Sequence, residues 1–306
     1  MSDPSPYDPF QKRLDAFTRE LSGVSRGNVE ALHRTRVASR RLRELLPLLP
    51  PRRDSDRTLD RRLRKVTKQL GMVRELDVLV LLIEELHQNP RYSAAALNQV
   101  RTVVGHARDE ARARLKATLS TGKLERLANR LRDFAKRSDT DGATALVVGA
   151  QREKRAWLWA LDARLARRAT DLLSAIDVAN GLYVPERLHD VRIAIKKLRY
   201  VVELAGETGR RRITTDLAAL KKAQDILGRL HDLEVLLVWG RDVQTSWSPP
   251  GLVAWKAVGD LVRAVEDDCR HWHARYLRDR HVLIAIAERL GAIEPQTVVR
   301  GRLATG

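Results

Sequence analysis

Two histidines, each followed by the same spacing of basic residues, carry the chemistry that this chain could perform. The first motif, LHRTRVASRRLR, places His33, Arg36, Arg40 and Arg43 at offsets of 0, 3, 7 and 10. At 100° per residue these offsets fall within about an 80° sector of an α-helix. The second motif, LHDVRIAIKKLRY, repeats the pattern from His189, 156 residues later. A helix face with one histidine and three cations suits an anion, so the two motifs predict two halves of one anion-binding site.

The residue types in these motifs match the chemistry of phosphate recognition. The candidate ligands in the two motifs are His33, Arg36, Arg40, Arg41, Arg43, His189, Arg192, Lys196, Lys197 and Arg199. Guanidinium groups bind phosphate oxygens through paired hydrogen bonds, and lysine adds a point charge. A histidine among cations is disfavoured in its protonated form until an anion arrives, when it could take up a proton. The alternative is two solvated basic faces kept from an old duplication.

A second segment of the chain is repeated as well. LRKVTKQLGMVRELDVLV (residues 63–80) aligns without a gap with LKKAQDILGRLHDLEVLL (residues 220–237), at an offset of 157. A repeat of this length exceeds the 20–50-residue period of solenoids. It predicts two copies of a helical unit packed as one body. We expect a first repeat over 8–140, a second over 141–291, and a flexible tail over 292–306.

The composition favours an all-α protein. At 306 residues and 43% hydrophobic, the chain can bury a sizeable core, and segments with a 3.6-residue period run almost from end to end. The lone Cys269 excludes a disulfide framework and fits a reducing compartment. The longest apolar run, Val78 to Ile83, is too short to span a bilayer, and no charged-then-apolar leader is visible. We therefore expect a soluble, cytoplasmic protein.

Proline, glycine and polar clusters divide the chain into expected helices. In the first half these cover about 8–22, 28–49, 56–88, 92–119 and 122–137. The polar stretch 138–142 predicts a turn between the halves. In the second half the expected helices cover about 145–177, 185–206, 210–243, 251–280 and 281–291.

The net charge of +18 and the isoelectric point near 10.7 point to a polyanionic partner. Several cations share one sector of the expected third helix, opposite its leucines, and similar stripes recur on other helices. The further candidate ligands are Arg64, Lys65, Lys68 and Arg74 on the third helix, Arg108 and Arg112 on the fourth, and Lys221 and Lys222 in the second half. The pairs Arg74–Asp77 and His231–Glu234, at i,i+3, are expected to brace the helix or core.

Taken together, the motifs resemble the CHAD family, the conserved histidine α-helical domain. The resemblance spans residues 8–291 and rests on both motifs, each followed by an LG-x-x-R/H-D/E-L-D/E-V segment. It implies two four-helix-bundle-like halves related by pseudo-twofold symmetry. It also implies non-catalytic binding of inorganic polyphosphate by the His/Arg/Lys faces, and association with polyphosphate granules in bacteria. Because Asp225 stands in the second half where the first has Lys68, the two halves are not expected to contribute equally.

Other functions remain open as alternatives. A basic helical surface binds DNA or RNA non-specifically at low salt, although only 5% of residues are aromatic and could stack on bases. His189-Asp190 and His231-Asp232 are similar to the His-Asp pairs of metal-dependent phosphohydrolases, but surrounding cations oppose metal binding. Cys269 and His273 share a helix face without further ligands, so no metal site is expected there. We expect polyphosphate or another polyanion as partner, with no membrane, metal, cofactor or catalytic residue.

Overall fold

The computed structural model describes residues 7–49, 56–144, 147–208, 214–246 and 251–292, and their regular secondary structure is entirely helical. The α-helices are α1 (Asp8–Arg19), α2 (Leu21–Ser25), α3 (Val29–Leu45), α4 (Leu59–His87), α5 (Ala94–Thr118), α6 (Thr121–Thr144), α7 (Val147–Ala179), α8 (Pro185–Glu207), α9 (Thr214–Gln244) and α10 (Leu252–Gly291). Short 3-10 turns cover Leu46–Leu48 and Asp56–Thr58. The all-α prediction is confirmed.

Three of the expected helix boundaries were wrong. The helix expected over 8–22 is interrupted at Glu20, where α1 ends and α2 follows. The polar stretch 138–142 continues α6 as helix, because the preceding amphipathic turns outweigh the turn preference of its serine, aspartates and glycine. The helices expected over 251–280 and 281–291 form the single helix α10, since no proline or glycine interrupts the chain between them. Residues 210–213 and 293–306 lie outside the described ranges.

The starts of α3 and α8 fix where the two histidine motifs stand. The side chain of Asn28 caps α3 by accepting a hydrogen bond from the backbone N–H of Ala31 at 2.8 Å. α8 begins at Pro185, a first-turn position that needs no N–H donor. Before it, Asn180 and Gly181 adopt φ values of 45° and 71°, which reverse the chain after α7. Each motif histidine is thus four residues past the first residue of its helix.

The helices pack around one continuous hydrophobic core. α4 packs on α3 and α5, while α9 packs on α8 and α10; α7 contacts both α8 and α10. α3 also contacts α8, α4 contacts α9, and α5 contacts both α9 and α10, so the helices that carry the repeated motifs lie side by side. The core includes large buried side chains from both repeats, among them Phe10, Phe17 and Tyr276. In the described ranges, no helix has an 18-residue window apolar enough for a membrane span.

A partly buried ion-pair group ties the end of α3 to α7. The Glu44 carboxylate accepts hydrogen bonds from Arg164 at 2.9 Å and from Arg168 at 3.0 Å. The three side chains are only 12–19% exposed. Since α3 carries the first motif and α7 leads into the helix of the second, this group holds the two repeats together near the motif helices.

Replacing Glu44 with alanine should lower the free energy of unfolding by about 3 kcal/mol, because the partly buried Arg164 loses its counterion and Arg168 keeps only its pair with the more exposed Asp171. Urea unfolding followed by circular dichroism measures the change. Glu125→Ala, which removes an exposed carboxylate from α6, is the matched control and should cost about 0.5 kcal/mol or less. Equal losses from the two variants would show that the Glu44 ion pairs do not stabilise the fold.

Candidate anion-binding site

The basic faces of the two motifs meet where α3 contacts α8. Arg36 and Arg40 of α3 lie close to Arg192 and Lys196 of α8, because the charge of Arg40 adds to burial in lowering the pKa of Arg36, Arg192 and Lys196. We call these four residues the central cluster. It contains two cations from each repeat, as expected if the motifs form two parts of one site.

The central cluster has no salt bridge to any residue that the structure describes. The Nε atoms of Arg36 and Arg192 are buried and have no hydrogen-bond partner among the described residues. Glu75 and Asp232 are the carboxylates whose charge acts on the cluster, at a distance longer than a salt bridge. Burying cations without counterions costs free energy. Such an arrangement is typical of a site that an anionic ligand completes.

Burial and mutual repulsion reduce the basicity of the cluster. Burial, followed by Arg192, Arg40 and Arg36, lowers the pKa of Lys196 from its ordinary value of 10.5 to about 6. Burial, with the charge of Arg40, lowers the pKa of Arg36 to about 10. An anion at the cluster would reverse this repulsion and raise these pKa values.

Histidines flank the central cluster on both repeats. Burial and the charge of Arg74 lower the pKa of His33, whose Nδ1 is buried without a partner. On the other repeat, the rings of His189 and His231 lie 4.7 Å apart between centroids, tilted by 51°. Burial, followed by Arg192, lowers the pKa of both, and brings that of His231 to about 3. Neutral imidazoles among cations are therefore the state of the free protein.

His231 was missed as a site residue by the sequence analysis, although the repeat held the signal. It aligns with Arg74 in the repeated segment, and the structure places each of these residues beside the motif histidine of its own repeat. Gly71 and Gly228 also align. A Cβ at Gly71 would lie 3.4 Å from Nε of Arg36, and one at Gly228 would lie 3.9 Å from Nε of Arg192. The motif arginines therefore cross the neighbouring helix at equivalent glycines.

Several candidate ligands from the sequence form salt bridges with carboxylates in the free protein. Arg41 and Arg199 both donate to Glu203, at 2.9 and 2.7 Å, and their guanidinium carbons lie 5.7 and 5.2 Å from the Tyr200 ring centroid. Arg43 donates to Asp60 at 3.0 Å. Glu203 thus fastens α3 to α8 beside the central cluster, and these arginines are engaged in the fold.

A similar structural role falls to candidates on α5 and α9. Arg112 donates to Asp77 at 2.7 Å, and the Asp77 side chain is 3% exposed. Asp77 therefore connects α4 to α5 through its salt bridge with Arg112. The i,i+3 spacing had suggested Arg74, on the same helix, as its partner. Lys222 pairs with Asp279 at 2.9 Å, and Nε of Arg108 lies 3.6 Å from Asp109.

The remaining candidates lie on the helices of the site without salt bridges to described residues. Arg74 is half-buried beside His33. The exposed members of this group are Arg64, Lys65 and Lys68 on α4, Lys197 on α8 and Lys221 on α9. Exposed cations of this kind raise the local positive potential and attract polyanions, without a fixed geometry for a ligand.

Two alternatives from the sequence would need a metal ion: a phosphohydrolase site at the His-Asp pairs, and a metal site at Cys269 and His273. Within the described ranges, no group of three or more His, Cys, Asp or Glu side chains could hold a metal ion. His273 packs its ring against Tyr183 at 5.3 Å between centroids, and Cys269 and Glu234 lie near Tyr183. Burial raises the pKa of Glu234 to about 7, and among the described residues its buried Oε1 has no hydrogen-bond partner, so the expected brace between His231 and Glu234 is not formed.

Fold and site together define an all-helical domain in which two basic helices face each other. The family model of the CHAD domain matches residues 9–240, and the chain belongs to this family. The CHAD domain crystal structure from the plant Ricinus communis has a TM-score of 0.55 and 23% identity, covering 96% of this chain and 94% of that one. PptA from Streptomyces chartreusis has a TM-score of 0.60 and 18% identity, covering 93% and 98%. At these identities the likeness concerns the fold. No curated protein matched the chain.

Replacing Lys196 with methionine should stabilise the free protein. Because folding lowers the pKa of Lys196 from 10.5 to about 6, its protonation favours the unfolded state. The free energy of unfolding of the wild type therefore decreases as the pH falls toward about 6, the pKa of Lys196 in the folded protein. Below that pH, Lys196 causes no further decrease. The Tm gain of Lys196→Met should widen over the same window and then level off.

Differential scanning calorimetry in anion-poor buffers between about pH 9 and pH 5 measures this gain. Lys197→Met, at the exposed neighbouring position, is the control and should change Tm little at any pH. A lower Tm for Lys196→Met, or a gain independent of pH, would contradict the repulsion described for the central cluster.

Proposed function

We propose that this CHAD protein binds inorganic polyphosphate, without cleaving it, at the junction of its two repeats. The observation that supports this function is the central cluster, four basic side chains from the two motifs that have no salt bridge among the described residues. The four side chains offer hydrogen-bond donors only, which suits a ligand made of acceptor oxygens. Completing the site with an anion would remove the electrostatic cost of holding the cations together.

A chain of phosphates fits the arrangement better than a single phosphate. Groups that can donate hydrogen bonds to phosphate continue from the central cluster to His33 and Arg74 on one repeat and to His189 and His231 on the other. Exposed lysines and arginines on α4, α8 and α9 extend the positive field beyond these groups. A flexible polyanion that carries a charge on each phosphate can contact both repeats at once. Location at polyphosphate granules is part of the same proposal.

Replacing both Arg36 and Arg40 with alanine tests whether the central cluster is the site. Each charge-assisted contact contributes about 1.5–3 kcal/mol, so the double variant should lose several kcal/mol of binding free energy. The control is Arg126→Ala with Arg130→Ala, which removes two exposed charges from α6. This control should cost about 1 kcal/mol or less. Isothermal titration with long-chain polyphosphate near 0.15 M salt provides both values.

The same titration distinguishes polyphosphate from nucleic acid. DNA and RNA at matched phosphate concentration should bind more weakly, and their affinity should fall steeply with salt. Equal losses of binding free energy in the two double variants would mean that only diffuse positive charge attracts polyphosphate. That result would contradict a binding site at the central cluster. Equal affinity for all three polyanions would favour the nucleic-acid alternative. Both variants must retain wild-type helicity and Tm for the comparison.

Incubation with long-chain polyphosphate and Mg²⁺ or Mn²⁺ should leave the chain length unchanged. The expectation follows from a site that offers cations to the ligand and neutral imidazoles beside it. Gel electrophoresis and a free-phosphate assay measure the outcome. Metal-dependent release of phosphate, abolished in His231→Ala or Asp232→Ala, would contradict the non-catalytic function and favour a phosphohydrolase.

A further inference from the structure

The basic groups of the site differ between the two repeats at two positions. The alignment pairs Arg40 with Lys196 and Arg74 with His231, whereas His33 and Arg36 face identical residue types in His189 and Arg192. Arginine stays protonated at any physiological pH. Lysine and histidine can lose their proton when they are buried among cations. Wherever the repeats differ here, the second therefore has a titratable group in place of a permanent charge.

The structure brings these titratable groups together. The ring of His231, from α9, lies 4.7 Å from that of His189, from α8, between centroids. His231 is faced by Arg192, His189 and Lys196. His189 is faced by Arg192, Lys196 and Asp190 on its own helix and by Arg40 of α3. The groups that face Lys196 are Arg192 on its own helix, Arg40 and Arg36 of α3, and Asp232 of α9.

Cations outnumber carboxylates around this group, and burial acts in the same direction. Asp232 is the carboxylate that faces Lys196, and burial raises its own pKa. With the pKa of Lys196 at about 6 and that of His231 at about 3, both groups are mainly neutral in the free protein near neutral pH. The second repeat therefore presents fewer charges than its sequence suggests.

We propose that the first repeat is a permanent anchor for polyphosphate, and that the second engages the chain only as Lys196 and His231 take up protons. This inference rests on the polyphosphate-binding function proposed above. The site would therefore respond to chain length. A long chain that spans both repeats binds with proton uptake by Lys196 and His231, whereas a short chain held by the first repeat binds without protonating them. Acidification then tightens the binding of long chains in particular.

The direction of the pH effect follows from linkage. A bound anion raises the pKa of both groups, so each proton taken up increases affinity by up to about tenfold per unit of pH decrease, between the free and bound pKa values. The contribution of Lys196 grows as pH falls and levels off below about 6, its pKa in the free protein. The contribution of His231 keeps growing as the pH falls further, because the pKa of His231 in the free protein is about 3.

The test compares two reciprocal double variants with the wild-type protein. Lys196→Arg with His231→Arg gives the second repeat the permanent charges of the first, while Arg40→Lys with Arg74→His gives the first the titratable groups of the second. Isothermal titration with long-chain polyphosphate and with tripolyphosphate, at about pH 8 and pH 6, measures affinity. Titration in buffers of different ionisation enthalpy measures the protons taken up.

For the wild type, long-chain affinity should rise about tenfold or more from pH 8 to pH 6, with a smaller rise for tripolyphosphate. The arginine variant should bind the long chain at pH 8 as tightly as the wild type does at pH 6. Its own affinity should change about threefold or less between pH 8 and pH 6. The reciprocal variant should show a steeper dependence than the wild type. Lys196→Met keeps the test valid if the arginines do not fit, since it should lose more affinity at pH 6 than at pH 8.

The outcomes separate this inference from the function on which it rests. An absence of polyphosphate binding at both pH values would overturn the proposed function. Binding whose pH dependence and proton uptake are the same in the wild type, the arginine variant and Lys196→Met would leave that function standing. It would overturn the division between an anchoring and a proton-gated repeat.

Discussion

Like charges repel, and the repulsion is strongest where water is excluded. At the contact of α3 with α8, Arg36, Arg40, Arg192 and Lys196 stand together, and no described residue forms a salt bridge with them. The lowered basicity of Lys196 is the direct consequence. The rest of the protein must hold these groups in place against their repulsion. A site that is unfavourable when empty becomes favourable when an anion fills it, which couples ligand binding to stability.

The restraint comes from ion pairs placed around the central cluster. Glu203 receives Arg41 from α3 and Arg199 from α8, with both arginines against the Tyr200 ring. Glu44 fastens the end of α3 to α7 through two further arginines. The basic residues of the site region thus divide into two sets. One set has carboxylate partners and holds the helices together, and the other forms no salt bridge within the described part of the chain, at the contact of α3 with α8.

The sequence predicts this region well in some respects and poorly in others. Helical periodicity and the two repeats indicate the helices and the basic faces, because residues at offsets of 3 and 7 share a face in any helix. Which cation is paired depends on contacts between distant residues: Arg112 finds Asp77 35 positions away, and Arg41 finds Glu203 162 positions away. Helix periodicity carries no information on such contacts. The helical course of 138–142 was missed because local turn preference is weaker than the tendency of a long helix to continue.

A crystal structure of the complex with polyphosphate tests the central claim most directly. Phosphate oxygens should lie within hydrogen-bonding distance of Arg36 and Arg40 of α3 and of Arg192 and Lys196 of α8, with one chain contacting both helices. The ion pairs of Glu203 and Glu44 should remain intact, because they belong to the fold and not to the ligand site. A chain bound only along the exposed cations of α4, with the central cluster empty, would contradict the account.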